Sequence, residues 1–317
     1  MNHSIKAKVA LLLVCLLIVF AAAEIGLRVL KPSVAVDTTV GSGWDKEGNS
    51  PLHLESTSSQ RIYELRPNAV VHSPEHETTY TTNSFGFRDR EYEISKPDDV
   101  FRILVLGDSI TFGWKVGLDE IYANQLEDMF AEQGKKVEVI SMAVNGYDTL
   151  QEAAVLKEQG LAFDPDLVVI GYCHNDTMIA NDGGLRTHFT NTPCMLLNAV
   201  RRVSQELQNR FSSIPSRGFA QIRALCEEQD IPVFTLIFPI LSDQGTGEYS
   251  HTSDHVTVTN LATESGFEVI DLYSKFAETG LASLALDSLH PNAEGHRIAA
   301  IELFLALSDR VSPSEGE

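Results

Sequence analysis

The chain has 317 residues, of which 43% are hydrophobic, and a formal charge of −20 from 44 acidic and 24 basic side chains. That length allows one large α/β domain with an N-terminal extension, or two modest domains, and the apolar content can fill a real core. The acidic balance argues against nucleic acid as a partner, because phosphates demand a basic surface; it speaks to solubility rather than to fold.

Residues 1–30 stand apart. Lys6 and Lys8 precede an unbroken apolar run of 15 residues, Val9 to Ala23, which is short of the roughly 20 that a simple span needs. Ala21-Ala22-Ala23 resembles a signal-peptide cleavage site. The apolar pattern nevertheless continues through Ile25, Leu27, Val29 and Leu30, and Glu24 and Arg28 can pair at a membrane surface. The favoured reading is a retained signal-anchor helix, with a cleaved signal peptide as the alternative. Either exports the rest of the chain, since the lysines stay on the cytoplasmic side. Beyond this segment lie Cys173, Cys194 and Cys226, an odd number without Cys-x-x-Cys spacing. They read as buried small hydrophobes, with a Cys173–Cys194 bridge left open.

Residues 31–60 are rich in Ser, Thr, Gly and Asp and read as a linker or irregular lead-in. Residues 61–93 hold the β-leaning Thr78-Thr79-Tyr80-Thr81-Thr82 and the turn-like Asn83-Ser84-Phe85-Gly86-Phe87-Arg88-Asp89, which predict a small β-hairpin appendage packed on the main domain. From Phe101 the pattern alternates. Apolar runs at Arg102–Leu106, Val137–Met142, Leu167–Gly171, Val233–Phe238 and Val269–Leu272 predict strands buried on both faces. Helices are expected at Ile121–Ala131, Leu150–Gln159, Ser216–Gln229, Asp254–Ser265 and Ala293–Leu307, the last capped by Asn292. This alternation implies an α/β domain over 101–308, a parallel sheet with helices on both faces. Residues 180–215 fit no period and suggest an insertion beside the site; 309–317 read as a disordered tail.

Gly107-Asp108-Ser109-Ile110 follows the first strand directly, where α/β sheets put their ligands. Near the other end stands Asp287-Ser288-Leu289-His290. Together they supply a hydroxyl nucleophile (Ser109), a base (His290) and a carboxylate to orient it (Asp287). Each piece alone is weak, since Gly-Asp-Ser arises by chance and Asp-x-x-His-Pro suits a surface turn. Placed at opposite ends of one α/β domain they support each other. Gly146 follows the second strand and can turn a backbone N–H towards a substrate oxygen. Asn175 follows the third and can donate its amide to the same oxygen. Alone, these would read as a turn glycine and a capping asparagine. His251 and His255 are i,i+4 and can share a helix face with a metal, but with no third ligand nearby they read, with Asp254, as an exposed first helical turn.

On these residues the chain resembles the SGNH hydrolases, the GDSL-type esterases. Ser109, Gly146, Asn175 and the Asp287/His290 pair match the family's four blocks in order, over about residues 101–308. The segment Asn83–Asp89 also resembles one that precedes the hydrolase domain in membrane-anchored bacterial members. The resemblance implies a three-layer α/β/α sandwich with a flavodoxin-like five-stranded sheet, and no metal or organic cofactor. It implies an oxyanion hole of the Ser109 N–H, the Gly146 N–H and the Asn175 amide. One departure is Trp114-Lys115 after Gly113, where small residues are usual; Trp114 either lines the substrate pocket or packs under the loop.

The expectation is a membrane-tethered serine esterase, facing the periplasm or cell surface, that hydrolyses a short-chain or carbohydrate O-acetyl ester through an acyl-serine. One alternative passes the acyl group to a glycan hydroxyl. Another, of a different class, is a non-catalytic glycan-binding or assembly protein on the same fold. Oligomeric state is not readable from the sequence.

Overall fold

Short β-branched and aromatic stretches between turns give two antiparallel hairpins ahead of the main sheet. In the computed structural model, which describes residues 19–25, 50–74, 77–173, 214–241 and 249–311, β1 (His53–Glu55) pairs with β2 (Tyr63–Leu65). β3 (Val70–Ser73) pairs with β4 (Thr78–Thr81). The first hairpin begins inside the stretch expected to be a linker, and its three-residue strands are too short to leave an alternating pattern.

The apolar runs become β5 (Phe101–Gly107), β6 (Val137–Ser141), β7 (Leu167–Tyr172), β8 (Val233–Ile237) and β9 (Glu268–Asp271). All neighbours are parallel, in the order β6-β5-β7-β8-β9, the flavodoxin-like arrangement. Side chains alternate between two buried layers: Ile103 and Val105 face one, Leu104 and Leu106 the other. Helices α2 (Tyr122–Glu132), α6 (Tyr273–Thr279) and α7 (Ala293–Leu307) cover the first face, while α3 (Thr149–Glu158), α4 (Ile214–Glu227) and α5 (Thr252–Glu264) cover the second. A four-residue α1 (Ser109–Phe112) sits at the end of β5. Asn292 caps α7 as expected, its Oδ1 accepting from the Gly295 N–H at 3.1 Å.

The N-terminal hairpins are part of this core. Leu52, Tyr63, Leu65, Tyr80, Phe87 and Tyr92 are buried in one cluster with Leu104, Leu106 and Phe112. The Tyr63 hydroxyl donates to the Asn145 carbonyl at 2.9 Å, and the Tyr92 hydroxyl to the Val139 carbonyl at 2.9 Å. Because the chain leaves β5 for β6 on one side and then returns across it to β7 on the other, the carboxyl ends of these three strands border one crevice.

Residues 19–25 are helical, and among the described residues no helix is long and apolar enough to cross a membrane. The rest of the expected anchor, the insertion at 180–213, Asn175, Cys194 and residues 312–317 lie outside the described residues. Val311, expected in the tail, is buried. Cys173 and Cys226 are buried, the Cys173 Sγ donating to Asp108 Oδ2 at 2.9 Å.

Candidate active site

Ser109 starts α1, whose N-cap is Asp108; the Asp108 Oδ1 accepts from the Ile110 N–H at 2.9 Å. The Ser109 N–H therefore belongs to a helical first turn, where amide groups lack intrahelical partners and favour negative charge. So short a helix rests on the sheet only because two glycines let it. Gly107 and Gly171 are register partners across β5 and β7, and a Cβ on either would lie 2.2 Å from the Thr111 Oγ1.

The segment before α7 brings the other two residues. His290 Nε2 lies 2.8 Å from Ser109 Oγ, and His290 Nδ1 lies 2.9 Å from both Asp287 carboxylate oxygens. Asp287 Oδ1 also accepts from the N–H groups of Leu289 at 3.0 Å and His290 at 2.9 Å, so the turn itself aims the carboxylate. Burial pushes the Asp287 carboxyl up, but hydrogen bonds and charge from His290, then from Lys115, outweigh it and hold the group well below the usual carboxylate range. An ionised Asp287 fixes the tautomer with a proton on Nδ1, leaving the Nε2 lone pair for the Ser109 hydroxyl. Gly146 follows β6 with φ of 73°, a left-handed turn that suits glycine. Three of the four expected blocks thus meet at one sheet edge; the Asn175 block lies outside the described residues.

The second polar cluster differs from its expected form. His255 is buried, not exposed: its Nδ1 lies 2.8 Å from Asp271 Oδ1 and its Nε2 2.8 Å from the Tyr249 hydroxyl. His251 pairs with Asp254 instead. Among the described residues no group of three His, Cys, Asp or Glu side chains is placed to hold a metal. The cluster braces the loop after β8, since Tyr249 Oη accepts from the Ile240 N–H at 3.0 Å while the Leu241 N–H donates to the Ser288 carbonyl at 2.8 Å.

A profile of the GDSL-like lipase/acylhydrolase family matches residues 105–298, which span Ser109, Gly146, Asn175, Asp287 and His290. The chain belongs to this family. It is accordingly a serine ester hydrolase rather than a binding protein on a hydrolase fold. Similar solved structures include a lipase/acylhydrolase from Enterococcus faecalis (19% identity, covering 68% of this chain and 100% of that one, TM-score 0.48). TesA is 16% identical, covering 66% of this chain and 98% of its own, with a TM-score of 0.46. An acetylxylan esterase from Geobacillus stearothermophilus is 18% identical, covering 65% and 93%, with a TM-score of 0.46. No curated protein matches the chain in sequence.

In this GDSL-type hydrolase the unusual Trp114-Lys115 follows the Ser109 helix as part of a tightly held loop. Trp114 is partly buried and stacks on Tyr80, with ring centroids 5.4 Å apart and planes 8° from parallel, so it packs against the N-terminal hairpin. Arg88, only 2% exposed, grips the same loop from that side. Its guanidinium donates to the carbonyls of Phe112 (3.0 Å), Gly113 (2.5 Å) and Val116 (2.7 Å) and lies over the rings of Tyr80 and Phe112. These carbonyls include the orphan acceptors at the end of α1. Lys115, beyond them, reaches Asp287 Oδ2 at 2.8 Å. Sequence reasoning missed both cations. The only signal for Arg88 was its place in the Asn83–Asp89 segment, and for Lys115 its place in the departure after Gly113.

Proposed function

We propose that Ser109 attacks the acyl carbonyl of a short-chain or carbohydrate O-acetyl ester, with His290 as base and Asp287 as its orienting carboxylate. The observation that carries this reading is the unbroken relay from Ser109 Oγ through His290 to Asp287, with 2.8 and 2.9 Å links. As the Ser109 oxygen bonds to the acyl carbon, its proton passes to His290 Nε2, and Asp287 stabilises the resulting imidazolium. The carbonyl oxygen becomes an oxyanion held by the Ser109 N–H, the Gly146 N–H and the Asn175 amide. His290 then gives its proton to the leaving alkoxide as the ester C–O bond breaks. Water repeats the sequence in reverse: its proton goes to His290, its oxygen to the acyl carbon, and Ser109 leaves with the proton restored. Transfer to a glycan hydroxyl differs only in that last nucleophile.

A polar ester is supported over a lipid by the charge of −20 and by the fact that, among the described residues beyond the N-terminal helix, the exposed large apolar side chains Val70, Ile94, Val256, Leu286 and Leu305 come from separate segments. The basic-then-apolar pattern of Lys6, Lys8 and Val9–Ala23 supports a retained anchor with the hydrolase outside the cytoplasm. Alkaline extraction of membranes and N-terminal sequencing of the mature protein test that placement; release with the start at Glu24 would replace the anchor by a cleaved signal.

The activity is tested with the full chain in mild detergent on p-nitrophenyl acetate and butyrate beside its Ser109→Ala variant. Turnover by the parent alone is expected. Equal rates from two folded proteins would reject Ser109 as the nucleophile. Asn175→Ala is expected to slow turnover by about 10²–10³, and a loss under about tenfold would remove Asn175 from the oxyanion hole. Acetylated glycans with and without acceptor sugars then separate hydrolysis from transfer.

A further inference from the structure

Two positive charges flank the candidate triad, and one of them touches it. Lys115 Nζ donates to Asp287 Oδ2 at 2.8 Å across 172 residues of chain. Its backbone has φ of 69°, the left-handed region that a lysine rarely adopts. The fold holds it there. Arg88 fixes the carbonyls on either side, Gly113 ends α1 in the same left-handed region, and the Lys115 N–H donates to the Tyr80 hydroxyl at 3.2 Å. Backbone held in an unfavourable region by several independent contacts is typical of functional sites. Here it delivers an ammonium to the carboxylate that is hydrogen-bonded to His290.

We propose that Lys115 is a positioning residue acting through Asp287: its ammonium fixes the second carboxylate oxygen and offsets part of its charge, so that His290 stays an unprotonated base at lower pH than with an unpaired aspartate. This rests on the reading of Ser109, His290 and Asp287 as the catalytic triad. The physics follows from the sign of each charge. A carboxylate beside an imidazole favours the imidazolium, and a cation bonded to that carboxylate opposes it. Asp287 Oδ1 is already occupied by the Leu289 and His290 N–H groups, which leaves Oδ2 as the oxygen free to swing away from the imidazole. Lys115 holds that oxygen. Among the described residues, the other groups facing His290 are Ser109 on α1 and His296 on α7, with Arg88 beyond. His296 is buried and uncharged near neutrality, its pKa brought down to about 3 by burial and then by the Arg88 and His290 charges. Among the described residues, Asp287 is thus the charge bonded to His290, and Lys115 the charge bonded to Asp287.

The test follows the rate at which a fluorophosphonate labels Ser109 in the full-length protein between pH 4.5 and 9. That rate depends on the free base but on no particular ester. Lys115→Met removes the charge; Lys115→Gln removes it while keeping a donor for Oδ2; Lys115→Arg keeps both. In Met and Gln variants the acidic limb should move up by about 0.5–1 pH unit, the effect of a unit charge two hydrogen bonds away at a partly exposed site. The Arg variant should return the limb to its parental position. An unmoved limb in folded Met and Gln variants, whatever happens to the plateau, would overturn the proposal, as would a limb that moves down. A folded parent that is not labelled at any pH would reject the triad itself, and Lys115's role with it.

Discussion

Replacing Arg88 with methionine tests whether a residue outside the family-matched stretch builds the active site. The side chain makes three charged hydrogen bonds to the carbonyls of Phe112, Gly113 and Val116. Each such bond is worth about 1.5–3 kcal/mol net. The loss is partly offset, because the buried charge and its desolvation go too. Burial pulls the guanidinium down to about 10, with Tyr80 and Glu120 opposing, so it is cationic at neutral pH and that offset is real. The expected net cost is about 3–5 kcal/mol, or a melting temperature lower by roughly 10 °C for a domain of this size. Turnover should fall too. Without Arg88 the carbonyls of Phe112, Gly113 and Val116 lose their charged donor and the loop after α1 is held more loosely, and a shift of about 1 Å in the proposed nucleophile costs about 100-fold. The assay is p-nitrophenyl acetate turnover well below the melting point, beside calorimetry. Arg88→Lys should fall between, since one ammonium cannot span three carbonyls in the guanidinium's fork. A Met variant with parental melting temperature and kcat would refute this account of the loop.

Two further outcomes are expected. Gly171→Ala puts a methyl 2.2 Å from Thr111 Oγ1 and 2.5 Å from the Tyr122 hydroxyl, so it should cost about 1–3 kcal/mol and displace α1; adding Thr111→Ala should recover part of the melting temperature, and no recovery would place the clash elsewhere. His296, buried with its pKa down at about 3 by burial first, is protonated more readily in the unfolded chain, whose histidines titrate near 6.5. Its contribution to stability is complete above about pH 6.5 and declines as pH falls towards 3, by about 2 kcal/mol at pH 5. Asp89 works in the opposite sense, its carboxyl raised to about 7 by burial, so the comparison is between parent and His296→Gln. Urea midpoints at pH 7.5 and 5 should fall further in the parent; equal falls would remove His296 as the cause.

Four of the strands, β5 to β8, were legible because each is an apolar run largely buried between helices, which leaves no ambiguity of face; the edge strand β9 is only half-buried at Val269 and Ile270 and exposed at both ends, against the expectation of burial on both faces, and was legible from its short apolar run alone. The meeting of Ser109, His290 and Asp287 was legible because Asp287 and His290 are three residues apart and Ser109 follows a strand. What was not legible depends on contacts between distant segments. Arg88 and Lys115 look like surface cations in the sequence, yet one is buried under α1 and the other bonded to Asp287. His255 looked solvated because its partner Asp271 arrives from β9. Helices α1 and α6 escaped notice because four and seven residues are too few to show a helical period.

Ser109 and His290 are separated by 181 residues of sequence. The proposed nucleophile is therefore synthesised long before its proposed base, and the contact between them forms only once β6 to β9 have paired and α7 has docked. Loop closure over such a distance is slow and comes late in folding, after the local contacts that make it worthwhile. A chain still emerging from the ribosome carries a serine whose proposed proton acceptor has not yet arrived. Catalytic competence in this hydrolase is then a property of the finished molecule: a truncated or half-folded copy cannot cleave esters in the compartment where it is made.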